Sequence, residues 1–262
     1  MALPETVAHI ANSFCGQDDG RSIAVFADHL ADVPIGANAC VPRPAASVMK
    51  VAIVMSLFDL AADGQLDLME SVPVSLLGQT RYCSILKAFD ADHILRLREV
   101  AALSLITSDN PAMVYLMSRL TFDNIANVLR SAGCGEQAVC RAGFSETELG
   151  PANRVNQFTA EDAIRLFRYL GTEMHYAPII TFLQNNLRNV RIPALLPEDA
   201  LIAHKTGSLE GVVNDAGIVS RDGRSFIVAF LSDRQADPVA TQTDMAMCAL
   251  KLFEVLISDD GL

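Results

Sequence analysis

The order of strand-like and helix-like segments is the feature that most restricts the fold of this 262-residue chain. Near the N-terminus, "RSIAVFADHLADVPIGANA" has the pattern of a β-hairpin, and three more strand-like runs follow residue 200. Between residues 47 and 187, apolar residues recur at helical spacing instead. Strands from both ends can share one sheet only if the helical middle is inserted between them. We therefore predict an α+β fold, in which an antiparallel sheet of about five strands is flanked by terminal helices.

This order divides the chain into two predicted domains. Residues 1–43 and 190–262 would form a discontinuous α/β domain, and residues 44–189 an all-helical domain inserted into it. Ligands commonly bind where two such lobes meet. The expected active site therefore lies in the cleft between the two domains.

The charge of the chain restricts the class of its partners. The formal net charge is -11, and the 20 lysine and arginine residues are scattered. Because phosphate backbones are bound by clustered cations, we expect no nucleic-acid partner and a small-molecule substrate instead. The longest apolar run, residues 51–62, is shorter than the roughly 18 residues that cross a bilayer, so no membrane association is expected. The sequence carries no signal for an oligomeric state.

The cysteines and the first residues indicate a compartment. None of the 6 cysteines has the spacing of a zinc site, which favours free thiols and predicts neither a metal nor another cofactor. The opening stretch "MALPETVAHIANSF" lacks the basic start and apolar centre of a secretory signal. We therefore expect a cytoplasmic protein, or a periplasmic or secreted one if a leader has been removed.

The first chemical signal is a lysine at the start of a very apolar helix. In "AASVMKVAIVMSLF", Lys50 follows Ser47 by three residues, so the two side chains share one helical face. Burial lowers the pKa of a lysine, which would leave Lys50 as a neutral amine able to act as a base. Ser47 falls at the helix N-terminus, where free N–H groups favour a developing oxyanion. The pair is a candidate nucleophile and base.

Two more motifs accompany this pair. "SDN" stands at residues 108–110, just after a helix, so that Ser108 and Asn110 can point into the cleft. "HKTGS" stands at residues 204–208 on a predicted edge strand, where Gly207 would let a substrate approach the backbone. The tripeptides SDN and KTG are each expected by chance in roughly one chain in twenty of this length. Their occurrence together and in this order indicates one shared site.

With these three motifs the chain resembles the serine β-lactamase and penicillin-binding protein superfamily, and most closely its class A β-lactamases. The resemblance implies acylation of Ser47, with Lys50 as its proton partner and Ser108 passing a proton to the leaving nitrogen. The backbone N–H groups of Ser47 and Ser208 would form the oxyanion hole. The implied substrate contacts are Asn110 for the amide and Lys205 and Thr206 for the carboxylate. Ser208, with its hydroxyl, and Tyr82, at the mouth of the cleft, are the other expected substrate-binding residues.

A fourth stretch concerns the release of the acyl group. "FSETELG", residues 144–150, resembles the omega-loop segment in which a glutamate activates the deacylating water, and this implies that Glu146 is the general base. Gly150 departs from the class A pattern, because an asparagine normally helps to hold the water there. Phe144 stands where an arginine normally clamps the loop. Asn214 falls near the usual place of an arginine that helps to bind the substrate carboxylate.

The resemblance thus implies a β-lactamase-like serine hydrolase that hydrolyses a β-lactam or a related amide. One alternative is an intracellular serine esterase or D-peptidase of the same fold with another substrate, and a third possibility is a sensor or binding protein that stays acylated or never reacts. Glu148 suits a helix cap better than catalysis. Tyr82 fits a cleft wall and ordinary packing equally well, and His204 is expected to be structural.

Overall fold

The structure contains the expected sheet, with strands from both ends of the chain. The computed structural model describes residues 2–78, 80–145 and 155–257. Its strands are β1 (Arg21–Phe26), β2 (Ile35–Ala37), β3 (Arg43–Pro44), β4 (Ser71–Pro73), β5 (Ile94–Arg96), β6 (Gln157–Phe158), β7 (Leu201–Leu209), β8 (Val212–Arg221) and β9 (Arg224–Ser232). Its helices are α1 (Leu3–Cys15), α2 (Lys50–Ala62), α3 (Leu97–Ile106), α4 (Asn110–Met117), α5 (Phe122–Ser131), α6 (Ala160–Leu170), α7 (Ala177–Gln184) and α8 (Pro238–Leu256).

The main sheet joins the two ends of the chain through one strand pair. Its spatial order is β2-β1-β9-β8-β7, and every neighbouring pair is antiparallel. The long pairing of β1 with β9 unites the N-terminal hairpin with the three C-terminal strands. The strand β7, which carries the KTG motif, lies at one edge. The prediction of an α+β fold with a five-stranded antiparallel sheet is confirmed.

Both faces of this sheet are buried because its central strands are apolar on both sides. On one face Val25 and Phe230 pack with residues of α1 and α8, and on the other Ala24 and Leu231 belong to the core that includes α2 and α6. Such continuous apolar strands are typical of a sheet covered by helices on both sides. Burying one large side chain of this kind contributes about 1.5–3 kcal/mol.

The helix α2 is the centre of the helical part. All residues from Lys50 to Phe58 are buried, so the helix is surrounded on every side. A helix that is apolar all round needs such an environment, and α3, α4 and α5 all contact it. The first turn of α2 is thereby fixed in place, and it is the turn that follows Ser47.

The helix α6 lies against the sheet, where it contacts β1, β8 and β9. Its sequence position is inside the range 44–189 that we assign to the helical domain. The two-residue strand β3, at the first domain boundary, pairs with β6 just before α6. The domain division at residues 43/44 and 189/190 stays a prediction.

None of the described helices has the length and apolarity that crossing a membrane requires.

Candidate active site

Ser47 lies in a closely packed turn in front of α2. The turn is a 3₁₀ helix, Ala46–Met49, that continues directly into α2 at Lys50. A Cβ atom on Gly207 of β7 would lie only 3.1 Å from the Ser47 nitrogen, so glycine at residue 207 favours this close approach of β7. The Ser47 N–H group therefore lies beside the edge strand, and the Ser47 side chain is half-buried.

Two asparagines hold the backbone just before this turn. The carbonyl of Asn156 accepts a hydrogen bond from the Ala45 N–H at 2.7 Å. Asn214 donates its Nδ2 to the Pro44 carbonyl, also at 2.7 Å. Because Asn214 is completely buried in β8, its amide supports the backbone here. It does not stand in the open cleft as an arginine substitute.

Lys50 is completely buried, and its amine contacts the SDN turn. Its Nζ donates to the Asn110 Oδ1 at 2.7 Å and to the Ser108 carbonyl at 2.8 Å. Burial lowers the pKa of Lys50 well below its usual value, and the positive charge of Lys205 lowers this pKa further. The hydrogen bonds found for this amine within the described chain go to the SDN turn and not to the Ser47 hydroxyl.

The hydroxyl of Ser108 lies between two buried lysines. The Nζ of Lys205 donates to the Ser108 Oγ at 3.0 Å, and the Nζ of Lys50 lies 3.5 Å from the same oxygen. Ser108 has a φ of 60°, a left-handed conformation that residues other than glycine seldom adopt and that is common at functional turns. Strand β7, helix α2 and the SDN turn therefore meet at one hydroxyl.

Lys205 is the second completely buried amine of the site. Burial, together with the nearby positive charges of Arg188 and Arg191, lowers the pKa of Lys205 to about 7, although the carboxylate of Asp215 opposes this shift. Its Nζ also donates to the carbonyl of Thr206 at 2.9 Å. The ammonium is therefore close to its titration point near neutral pH.

The loop that contains Tyr82 is tied to the SDN turn by Asp109. The Oδ1 of Asp109 caps α4 by accepting from the Ala112 N–H, and its Oδ2 accepts from the Ser84 hydroxyl at 2.5 Å. Tyr82 itself is 45% exposed, with its phenol oxygen 3.0 Å from the Arg81 guanidinium. It makes no direct hydrogen bond to the serine and lysine cluster within the described chain.

Arg191 is a site residue that the sequence motifs do not reveal. Its guanidinium is buried and donates to the Ser208 hydroxyl at 2.6 Å and to the Gly207 carbonyl at 2.9 Å. It also bonds to the carbonyl of Asn214. Arg191 precedes β7 by ten residues in an irregular stretch, "NVRIPALLPEDA", so only the tertiary fold brings it to the KTG end of the site.

The general base expected from the sequence, Glu146, lies outside the described residues, as does Gly150. The two ends of the surrounding segment are described. The buried Asn156 accepts hydrogen bonds from the N–H groups of Arg141 and Ala142 through its Oδ1 and donates its Nδ2 to the Ala142 carbonyl. Asn156 therefore closes the neck of this segment, where class A enzymes use an ion pair. Phe144 is buried, with its ring centre 5.0 Å from the Lys50 Nζ.

The comparisons with known proteins agree with this geometry. The sequence matches the model of the beta-lactamase enzyme family over residues 5–252. The fold is similar to that of a β-lactamase from Sphaerobacter thermophilus, with a TM-score of 0.85, 19% identity and 96% of each chain covered. It is also similar to a class A β-lactamase from Bacteroides cellulosilyticus, with a TM-score of 0.82 and 21% identity over 97% of this chain and 98% of that one.

A further similar structure is that of PBP-A, with a TM-score of 0.79 and 20% identity over 96% of this chain and 94% of that one. No curated protein sequence matches the chain at a significant level. The family model nevertheless spans nearly the whole sequence, from the first helix to the last. The chain therefore belongs to the beta-lactamase enzyme family and is a β-lactamase-like serine hydrolase.

Proposed function

We propose that this protein forms an acyl-enzyme on Ser47 and hydrolyses the amide bond of a β-lactam or a closely related small molecule. The observation that carries the proposal is the Ser108 hydroxyl between two buried lysines. Two ammonium groups in one buried site repel each other, so one of them must be close to losing its proton. Lys50 follows the half-buried Ser47 by one helical turn, and a neutral amine that reaches a serine hydroxyl activates it as a nucleophile.

In the proposed acylation, the Ser47 oxygen attacks the carbonyl carbon while its proton passes to the neutral amine of Lys50. The negative charge on the carbonyl oxygen is stabilised by the N–H groups of Ser47 and Ser208. The intermediate then collapses, and the bond between carbon and nitrogen breaks. Ser108 gives a proton to the leaving nitrogen and takes one from Lys50, which restores the neutral amine.

The residues of β7 would bind the acidic end of the substrate. We assign the carboxylate to Lys205, Thr206 and Ser208, and the amide of the substrate to Asn110. Arg191 supports this assignment, because its guanidinium is already bonded to the Ser208 hydroxyl. Arg191 thus supplies a positive charge near the carboxylate site, where Asn214 replaces the usual arginine. Tyr82 is assigned to the mouth of the cleft, where a ring is half in contact with water.

Deacylation is assigned to a water activated by Glu146. The support is the segment "FSETELG" together with the closed neck at Asn156, which anchors this segment to the strand that leads to Ser47. A carboxylate base that takes a proton from water in the transition state contributes about 10²–10⁴-fold to such a step.

The test is intact-mass spectrometry with a chromogenic cephalosporin. We expect the wild type to turn the substrate over, Glu146→Gln to accumulate a covalent adduct, and Ser47→Ala to form none. Glu148→Gln is the matched control, because it changes the neighbouring glutamate of the same segment and should turn over normally. The proposal is wrong if the wild type neither acylates nor turns over any β-lactam.

A serine esterase or D-peptidase on the same fold is the second candidate. It is favoured by Gly150, which has no side chain to help hold the deacylating water of a β-lactamase. A panel of simple esters and D-alanyl peptides distinguishes the two. Turnover of these with negligible β-lactam turnover would select the second candidate, and a long-lived adduct on the wild type would select an acylated sensor.

A further inference from the structure

A buried histidine and aspartate face each other behind the KTG motif. The Nδ1 of His204 lies 2.9 Å from the Asp215 Oδ1 and 3.1 Å from its Oδ2, and both side chains are almost completely buried. His204 pairs with Gly217 of β8, and a Cβ atom on Gly217 would lie 2.5 Å from the His204 Cβ, so glycine leaves room for His204 at this position. A buried carboxylate needs such a hydrogen-bonded partner, so the His204–Asp215 pair is a structural element of the fold.

The pair is bonded to the segment of residues 186–192, which lies between α7 and β7. The Nε2 of His204 is 3.1 Å from the Asn189 Oδ1. The backbone carbonyl of His204 accepts from the Asn186 Nδ2 at 3.0 Å. Asp215 accepts from the Ile192 N–H at 3.1 Å. Three bonds of one His–Asp pair therefore fasten both ends and the middle of this segment to strands β7 and β8.

The fastened segment carries two of the cations that surround the catalytic lysines. Arg191 reaches the Ser208 hydroxyl, and the positive charge of Arg188 acts on both Lys50 and Lys205. The guanidinium of Arg188 is exposed and makes no ion pair within the described chain. Since the whole chain is acidic, a cationic segment beside the KTG motif is a local feature that favours an anionic group.

We propose that His204 is a positioning residue, which acts through Asp215 and Asn189 to hold the 186–192 segment where Arg191 and Arg188 attract the acid group of the substrate. The inference rests on the proposed function, because that function places the acid at Lys205, Thr206 and Ser208. His204 itself does not touch the reacting atoms. Its loss therefore weakens the binding of an acidic ligand and leaves the binding of the neutral counterpart unchanged.

The test compares benzylpenicillin with its methyl ester, which lacks the negative charge. Both are titrated by NMR into the Ser47→Ala variant, so that binding is measured without acylation. We expect the acid to bind more tightly than the ester by about tenfold. Adding His204→Leu should remove most of this preference. The affinity for the acid should fall about tenfold, and the affinity for the ester should change less than about twofold.

Three further variants make the result specific. His204→Asn retains an N–H donor at the place of Nδ1 and should recover most of the preference. His175→Leu is the matched control, because His175 lies 2.8 Å from Asp59 in another His–Asp pair of the described chain, and this change should alter the binding of neither ligand. If His204→Leu does not fold, Asn189→Ala is the substitute. It removes the bond between the exposed Asn189 and His204 and should lower the affinity for the acid about two- to threefold.

The proposal is overturned if His204→Leu lowers the affinities for acid and ester alike, or changes neither affinity. It is also overturned if the Ser47→Ala parent binds both ligands equally. These results are distinct from failure of the proposed function, which is a wild type that forms no covalent adduct. The NMR titration measures binding without acylation, so the role of His204 and the proposed function can be refuted independently of each other.

Discussion

Single residues in this protein are placed where their ordinary chemistry is altered. Lys50 and Lys205 are completely buried, and among the described residues neither amine has a carboxylate within hydrogen-bonding distance. Both are bonded to neutral oxygen atoms, and the positive charge of Lys205 lowers the pKa of Lys50. Isolated ammonium groups lose their protons readily in such an environment. The same residue type thus supplies one amine with a strongly lowered pKa and one cation that titrates near neutral pH.

Carboxylate binding is expected to weaken above pH 7. The pKa of Lys205 is lowered to about 7, so its ammonium is present below this pH and is lost as the pH rises through it. The KM of a substrate with a carboxylate should therefore rise about tenfold per pH unit above pH 7. The KM of the methyl ester of that substrate should stay constant. Steady-state kinetics on both compounds from about pH 6 to pH 9 measures the difference.

Lys205→Arg is the control for this pH dependence. A guanidinium keeps its charge over the whole range, so the KM of this variant should not rise with pH. A wild-type KM for the acid that is constant up to about pH 9 would contradict the assignment of Lys205 to the carboxylate.

At the scale of elements, short irregular pieces rather than whole helices position the site. The 3₁₀ turn before α2 carries Ser47, and the turn between α3 and α4 carries Ser108. Apolar residues recur at helical spacing throughout residues 111–133, yet this stretch contains two helices, α4 and α5, separated at the Thr121 cap. Local capping by Thr121 and Asn124 overrides the continuous apolar pattern there.

The neck at Asn156 is expected to matter for both stability and acyl release. Asn156→Ala removes the buried amide oxygen that accepts from the N–H groups of Arg141 and Ala142, which should lower the free energy of unfolding by about 1–3 kcal/mol. Because the segment that holds Glu146 is no longer anchored, the lifetime of the acyl-enzyme should increase about tenfold. Thermal unfolding and the decay of the adduct mass measure the two effects.

Asn185→Ala is the matched control for this change. Asn185 is exposed, and its side chain donates to the carbonyl of Thr181 one helical turn earlier. Its loss should leave the adduct lifetime unchanged. An Asn156→Ala variant that releases the acyl group at the wild-type rate would show that the neck does not position the segment.

At the scale of the whole molecule, a buried arginine links the start of the helical part to the sheet. Arg43 is 1% exposed, and its guanidinium bonds to the Asp233 carboxylate and to the Ser22 hydroxyl, both at 2.6 Å. These partners lie at the ends of β9 and β1. The bonds therefore connect the strand before Ser47 with the pair of strands that unites the two ends of the chain.

Removing Arg43 should destabilise the entire protein. Arg43→Met removes the buried guanidinium that bonds to Asp233 and Ser22, which should lower the free energy of unfolding by about 3 kcal/mol. Arg234→Met is the control, because Arg234 also contacts Asp233 but is exposed, and its loss should not change stability measurably. Denaturant unfolding measures both. Equal stability of the two variants would contradict a structural role for Arg43.

Much of the fold could be predicted from the sequence because its signals are local. Apolar alternation in "SFIVAFLSD" and helical spacing elsewhere reflect which side chains each element must bury, and the order of the elements then leaves few ways to form one sheet. The position of α6 was not predictable in this way. Its apolar face shows that it is buried, but this face does not specify that β1, β8 and β9 cover it.

The sequence by itself determined the α+β class and the motif residues Ser47, Lys50, Ser108 and Lys205, because these follow from periodicity and from short motifs. Only the tertiary structure decided which residues support them. Arg191, Asn156 and the His204–Asp215 pair meet the site through contacts between segments that are far apart in the chain or have no regular pattern. Such contacts leave no local signal, because they depend on how the sheet and the helices pack together.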